Sequence, residues 1–218
     1  MREAQPYSSV LDIGAGRGSD LLSAKLIEPQ ASLHALECYG PNIEHLKLSG
    51  IATYDVNIER QCIPLQGESV DVILSNQTFE HLKEVFWALH EASRVLKVGG
   101  RLIIGVPNLA SLHNRLLLLA GRQPTSIQNN SAHLRGYTRR DFVSLLSCFP
   151  NGYRLISWRG SNFYPLPGVL ARPAARLLPS LAWATFMLFR KERTYNQEFL
   201  EYPVTKSLET NFYLGSDN

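Results

Sequence analysis

Residues 10–18 read Val-Leu-Asp-Ile-Gly-Ala-Gly-Arg-Gly. An apolar run that breaks into three alternate glycines, with helical spacing after it, predicts a strand, a tight turn and a helix. The helix would start with its unpaired N–H groups facing the turn. A strand that is apolar on both faces needs parallel neighbours and crossover helices to cover it. The next hundred residues offer them. Ser9–Ile13, Ala31–Leu36, Gly50–Tyr54, Val70–Ser75 and Arg101–Val106 read as strands. Asp20–Ile27, Asn42–Leu48 and Leu82–Leu96 read as helices, the last with Gly99-Gly100 as its C-cap. The alternation predicts a doubly wound α/β fold, Rossmann-like, on a mostly parallel sheet.

The second half is less regular. Leu109–Ala120 has the spacing of a leucine-rich helix, and a polar stretch from Gly121 to Gly136 follows it. Thr138 reads as the N-cap of a helix through Ser147, with Asp141 at the capping-box position. Tyr153–Arg159 reads as a strand, Pro165–Pro179 as a helical segment, and Ala182–Phe189 as the closing strand. Residues 1–193 are expected to form one domain. Residues 194–218 have no strong period and are expected to form an extension, ordered only where it docks.

Three separated cysteines, Cys38, Cys62 and Cys148, fit neither a disulfide framework nor a metal-ligand spacing. No metal site is expected from sequence. The N-terminal residues lack a signal-peptide pattern, and no stretch reaches the length of a membrane span, so a cytoplasmic location is expected. Charge is unevenly divided: residues 1–100 hold 8 Lys/Arg against 13 Asp/Glu, whereas residues 101–193 hold 13 against only Asp141 and Glu192. Such a division points the second half at an anionic partner or at plain solvation of its helices. Without a dense basic cluster interleaved with aromatics, nucleic acid is not favoured.

Dinucleotide binders space their glycines G-x-G-x-x-G beneath a pyrophosphate. Here the spacing is tighter, at Gly14, Gly16 and Gly18, and Asp12 precedes it. A carboxylate there suits a ligand with an ammonium group better than one with phosphates, which disfavours a nicotinamide dehydrogenase.

The run from Val10 to Gly18 resembles the first motif of class I S-adenosylmethionine-dependent methyltransferases, and four later segments match that family in order. The resemblance implies a seven-stranded sheet with an antiparallel closing strand, and S-adenosylmethionine as cofactor, leaving S-adenosylhomocysteine. It implies that Asp12, Gly14, Ala15, Gly16 and Gly18 form the cofactor loop, and that Glu37 accepts the ribose hydroxyls. Cys38 would lie against the adenine, and Asp55 with Val56 would take its amino group and ring. Ser75, Asn76 and Gln77, after the fourth strand, would line the methionine moiety. The helical cap usual upstream in this family is expected to be absent or short. A partner, a second copy, the tail or the 121–136 segment would then cover the cofactor.

Transfer to a hydroxyl is helped by a general base, and His81 and His133 are the candidates. His133-Leu134-Arg135-Gly136-Tyr137-Thr138 is similar to a run in sugar- and lipid-directed methyltransferases, which puts Arg135 and Tyr137 beside it. The expected reaction is O-methylation of a small-molecule, glycan or lipid-linked acceptor, with surface-polysaccharide biosynthesis as one setting. Arg172 and Arg176 lie one helical turn apart among apolar residues. They suit either peripheral contact with the inner membrane face or a core-packing helix. Segments around Pro107-Asn108-Leu109 and Gly121-Arg122-Gln123-Pro124 also resemble the methionine biosynthesis protein W family, which leaves open a non-catalytic or regulatory subunit.

Overall fold

The computed structural model describes residues 1–215. Seven strands form one sheet: β1 (Ser9–Ile13), β2 (Ser32–Glu37), β3 (Ala52–Asp55), β4 (Val70–Asn76), β5 (Leu96–Pro107), β6 (Tyr153–Ser161) and β7 (Ala184–Lys191). Their order is β3-β2-β1-β4-β5-β7-β6. All neighbouring pairs are parallel except those made by β7, which runs antiparallel to β5 and β6. The chain reverses its direction of winding between β1 and β4. Doubly wound sheets bind ligands at the carboxyl ends of the strands flanking such a reversal.

Helices α1 (Ser19–Ile27), α2 (Gly40–Leu48), α3 (Val85–Val95), α4 (Leu112–Leu119), α5 (Arg139–Leu146), α6 (Gly168–Leu177) and α7 (Glu198–Thr205) surround the sheet. Alternation along β1 divides the core. Leu11 and Ile13 face one side with Ile73, Ile104 and Phe189, against α3, Phe142 of α5 and Phe199 of α7. Val10 faces the other with Val72, Leu74 and Leu188, against Leu21 and Ala24 of α1 and Leu46 of α2.

Three expectations change. Gly99-Gly100 is not a helix C-cap: α3 stops at Val95 and the chain enters β5 at Leu96. The two glycines sit at a register shift between β4 and β5. A Cβ on Gly100 would lie 2.7 Å from Leu96 Cδ1 and 3.0 Å from the Asp71 carbonyl, so the strand needs glycine for close approach rather than for capping. The helix expected from Leu109 begins later, at Leu112, capped by Ser111, whose Oγ accepts from the Asn114 N–H.

The residues after Arg193 are not extended throughout. They form α7, and Phe199 is fully buried there beside Phe149 and Tyr195. Beyond it Phe212 meets Phe86 edge-on at 5.0 Å, Tyr213 meets Trp87 at 4.9 Å, and the Tyr213 N–H donates to Glu84. This second cover explains why α3 is buried nearly all round. An eight-residue helix containing Pro203 has little stability alone, so its sequence carried no helical signal. Residues 216–218 of the expected extension lie outside the described residues. The capping box at Thr138 forms as expected: its Oγ1 accepts from the Asp141 N–H and the Asp141 carboxylate accepts from the Thr138 N–H.

Candidate active site

Gly14, Gly16 and Gly18 all have positive φ, at 74°, 54° and 78°. Only glycine takes three such angles in one turn without strain. Their surroundings differ. A Cβ on Gly14 would run into Thr78 Oγ1 at 2.4 Å and one on Gly18 into Leu46 at 2.7 Å, whereas Gly16 faces open space. Gly14 and Gly18 let the loop pack, and Gly16 leaves open space beside it. The Gly14 and Ala15 N–H groups donate to the Leu36 carbonyl, tying the loop to the end of β2.

Glu37 closes β2 and joins the same loop. One carboxylate oxygen accepts from the Gly16 N–H at 2.7 Å, and the other from the Cys38 and Tyr39 N–H groups at 3.0 and 2.9 Å. Beside it opens a cleft of ≈ 290 Å³, lined by Gly14, Glu37, Cys38, Val56, Thr78 and His81, with Ile13, Leu36, Asn57, Ile58, Glu59 and Leu82. The last six, and Thr78, were not singled out by sequence reasoning. Their signal was weak because each acts through wall shape or backbone anchoring. Glu59, for example, accepts from the Lys83 and Glu84 N–H groups ahead of α3.

Asp12 is buried, at 2% exposure, and its Oδ1 has no partner. Burial, reinforced by Asp20 and Glu37, pushes its carboxyl up to about 8. An orphaned acid that awaits a positive charge fits the ammonium-bearing end of S-adenosylmethionine. Ser75 and Asn76 do not line the Glu37 cleft. With Asp20, Gly105 and Met1 they line a second depression of ≈ 160 Å³. The Asn76 side chain donates to Asp20, and Ser75 Oγ to the Ile13 carbonyl. Asp55 stands opposite Glu37 in register but is exposed at the rim, and Gln77, also exposed, holds a left-handed conformation with its N–H on the Gly105 carbonyl.

The two histidines do come together. Their rings lie 4.8 Å apart at 71°. Each Nδ1 sits 3.1 Å from a backbone carbonyl, Ala132 for His81 and Ser126 for His133. A carbonyl only accepts, so each Nδ1 carries the proton and each Nε2 keeps a lone pair. Arg135 and Tyr137, expected beside the acceptor, are engaged within the fold. Arg135 donates to the Leu82 and Lys83 carbonyls. Tyr137 is buried, and burial raises its hydroxyl to about 12, so it stays protonated.

Residues 11–104 match the methyltransferase domain family. An uncharacterized protein from a Streptomyces fradiae transposon is 31% identical over 114 residues, 50% of this chain and 33% of its own length. A malonyl-[acyl-carrier protein] O-methyltransferase from Methylococcus capsulatus is 33% identical over 112 residues, 49% of this chain and 40% of its own. The chain spans between a third and about half the length of the curated relatives it matches. Among solved structures, an S-adenosylmethionine-dependent methyltransferase from Thermotoga maritima superposes with a TM-score of 0.62 at 18% identity, over 88% of this chain and 85% of its own. Sheet order and this superposition give the chain the Rossmann-like fold of S-adenosylmethionine-dependent methyltransferase structures. The family match itself lies in the first half of the chain, over the glycine loop and the parallel strands.

Proposed function

We propose that the protein moves a methyl group from S-adenosylmethionine to a hydroxyl of an anionic glycan or lipid-linked acceptor met at a membrane surface. Bound in the cleft, S-adenosylmethionine supplies a methyl group on a positively charged sulfur. Glu37 would hold the ribose, with Cys38 and Val56 against the base; Asp12 would face the ammonium group. His81 lines the cleft and His133 stands beside it, so an Nε2 lone pair is available to take the hydroxyl proton. Most of the catalysis would come from orientation in a site that excludes water.

The observation that carries the acceptor class is a separate cavity of ≈ 360 Å³ at the carboxyl end of β5. Arg115, Arg139 and Arg140 line it with Asn108, Thr138, Trp158 and Thr185. None of the three arginines pairs with a carboxylate among the described residues. The segment that bears His133 runs directly into Arg139, whose guanidinium lies 4.4 Å over the Trp158 ring. A planar cation fixed on an aromatic face is a ready partner for carboxylate or phosphate.

The membrane surface is argued from α4 and α6. On α6 the buried side chains are Ala171 and Ala175, while Val169, Leu170 and Leu177 point to solvent. On α4, Leu116, Leu118 and Leu119 do the same. Small residues inward and large apolar ones outward reverse the usual soluble helix. Exposed Arg115, Arg122, Arg172 and Arg176 flank this face. Leucines with arginines and no acid suit an anionic bilayer surface. No described helix is long and apolar enough to cross it.

Calorimetric titration with S-adenosylhomocysteine and NAD tests the donor; binding of NAD alone sinks the reading. Co-sedimentation with phosphatidylglycerol and phosphatidylcholine vesicles tests the surface. Equal retention on both, or on neither, removes the membrane from the proposal.

A further inference from the structure

Glu80, His81 and His133 converge beside the cofactor cleft, and one ligating atom from each lies within 4.8 Å of the other two. Glu80 is 1% exposed, yet neither of its carboxylate oxygens has a hydrogen-bond partner. The two imidazoles are already fixed from behind, each Nδ1 on a backbone carbonyl, which leaves both Nε2 atoms with a free lone pair. Metal-binding histidines are oriented in this way, with the second ring nitrogen anchored to an outer acceptor.

Backbone contacts make the meeting rigid. The Leu134 and Arg135 N–H groups both donate to the Glu80 carbonyl, at 2.8 and 3.1 Å. Arg135 spends its guanidinium on the Leu82 and Lys83 carbonyls and makes no ion pair with Glu80. The segment bearing His133 is therefore clamped over Glu80, while both carboxylate oxygens are left without a hydrogen-bond partner.

We propose that Glu80, His81 and His133 form a site for a divalent cation of the zinc kind, open on the side of the cleft that His81 lines. Two imidazoles and one carboxylate, with a position left for an oxygen ligand, are a donor set that zinc takes in catalytic sites. Ligand atoms about 2.0–2.2 Å from one ion lie roughly 3–4 Å from each other. A closing movement of about 1 Å gathers the three groups to that spacing. The cation also supplies the partner that the Glu80 oxygens lack. The inference rests on the proposed O-methylation and replaces its base. With both Nε2 atoms on the ion neither histidine takes the proton, and an acceptor hydroxyl at the open position would be polarised, aimed and deprotonated to solvent.

The test starts from protein stripped with a chelator and dialysed. Titration with Zn²⁺ is expected to show one ion per chain. Uptake should weaken roughly tenfold or more in Glu80→Gln and in His133→Ala. The second variant lies in a partly exposed segment and guards against a folding defect in the first. Co²⁺ should give visible absorption bands in the wild type and not in Glu80→Gln, while S-adenosylhomocysteine affinity stays near wild type in both variants. Absence of Zn²⁺ uptake by a wild type that binds S-adenosylhomocysteine overturns the metal site and leaves the methyltransferase reading standing. Uptake unchanged in both variants places the ion elsewhere and also overturns it. Zn²⁺ uptake without S-adenosylhomocysteine binding would instead count against the methyltransferase reading.

Discussion

The two halves of this chain solve different problems. Residues 1–107 make the parallel strands β1–β5 and the glycine loop; they are rich in acids, and the family match ends within them, at residue 104. Residues 108–193 add the antiparallel closing strands, the arginine-lined cavity and two helices with outward leucines, and they hold only Asp141 and Glu192 as acids. The first half is built around one cofactor, so its geometry is strict: three positive-φ glycines, one orphaned aspartate, one carboxylate at a strand end. The second half, which the proposal gives to the methyl acceptor, is distinguished by charge and surface. The strict half carries the family match, and the loose half carries the positive charge.

The largest effect is expected where the strict half is broken. Gly16→Val places a β-branched side chain at φ 54° and fills the open side of the loop. S-adenosylhomocysteine affinity should fall about 100-fold or more, the order of 3 kcal/mol in calorimetric titration. An affinity near wild type would move the cofactor away from this loop. Glu37→Ala should follow, with a loss of roughly tenfold or more from two missing ribose hydrogen bonds.

Stability separates the halves differently, because the tail crosses between them. Phe199→Ala removes a fully buried ring that packs against Phe149 and Tyr195, and should cost about 3–5 kcal/mol in denaturant unfolding. A loss under about 1 kcal/mol would mean that the tail is an accessory to the fold, not part of its core.

Within the loose half, the double change Arg139→Ala and Arg140→Ala should raise KM for an anionic acceptor roughly tenfold while cofactor affinity stays constant. A change confined to cofactor binding would dissolve the division between the halves.

The last effect is a pH dependence. Asp12 titrates near 8 when folded and near its ordinary value of 3.8 when unfolded. Between those values the native state binds the extra proton, so this group lowers stability as pH rises from about 4 to 8, and the decline levels off above 8. Asp12→Asn, measured by thermal melts across that range, should gain on the wild type as pH rises. S-adenosylhomocysteine affinity should rise through pH 8 in the wild type only, as the ionised carboxylate meets the ligand's ammonium group. Identical pH profiles for the two proteins would show that Asp12 faces something else.

Much of the fold was legible because its signals are local. β-Branched and apolar runs mark strands wherever they occur, and glycine at alternate positions after such a run has few conformational uses. Ser9–Ile13 was located to the residue, and the second strand to within one residue at each end. The boundary at Gly99-Gly100 misled because glycine serves both capping and close packing, and only the nearby Asp71 carbonyl and Leu96 side chain distinguish the two. Ser75 and Asn76 were placed at the correct strand end, but no sequence rule says into which of two depressions a strand end opens.

The sequence by itself determined the α/β alternation, the glycine loop and the charge division, since each depends on neighbours within a few residues. The tertiary structure decided what the halves bring to each other. α7 and the aromatic residues after it had no pattern of their own and became ordered by covering α3. His133 lies far along the chain from His81, yet the N–H groups of Leu134 and Arg135 fasten it to the Glu80 carbonyl, so the rings stand 4.8 Å apart. No spacing in the chain encodes that meeting, because it is made by backbone hydrogen bonds that any residue could donate.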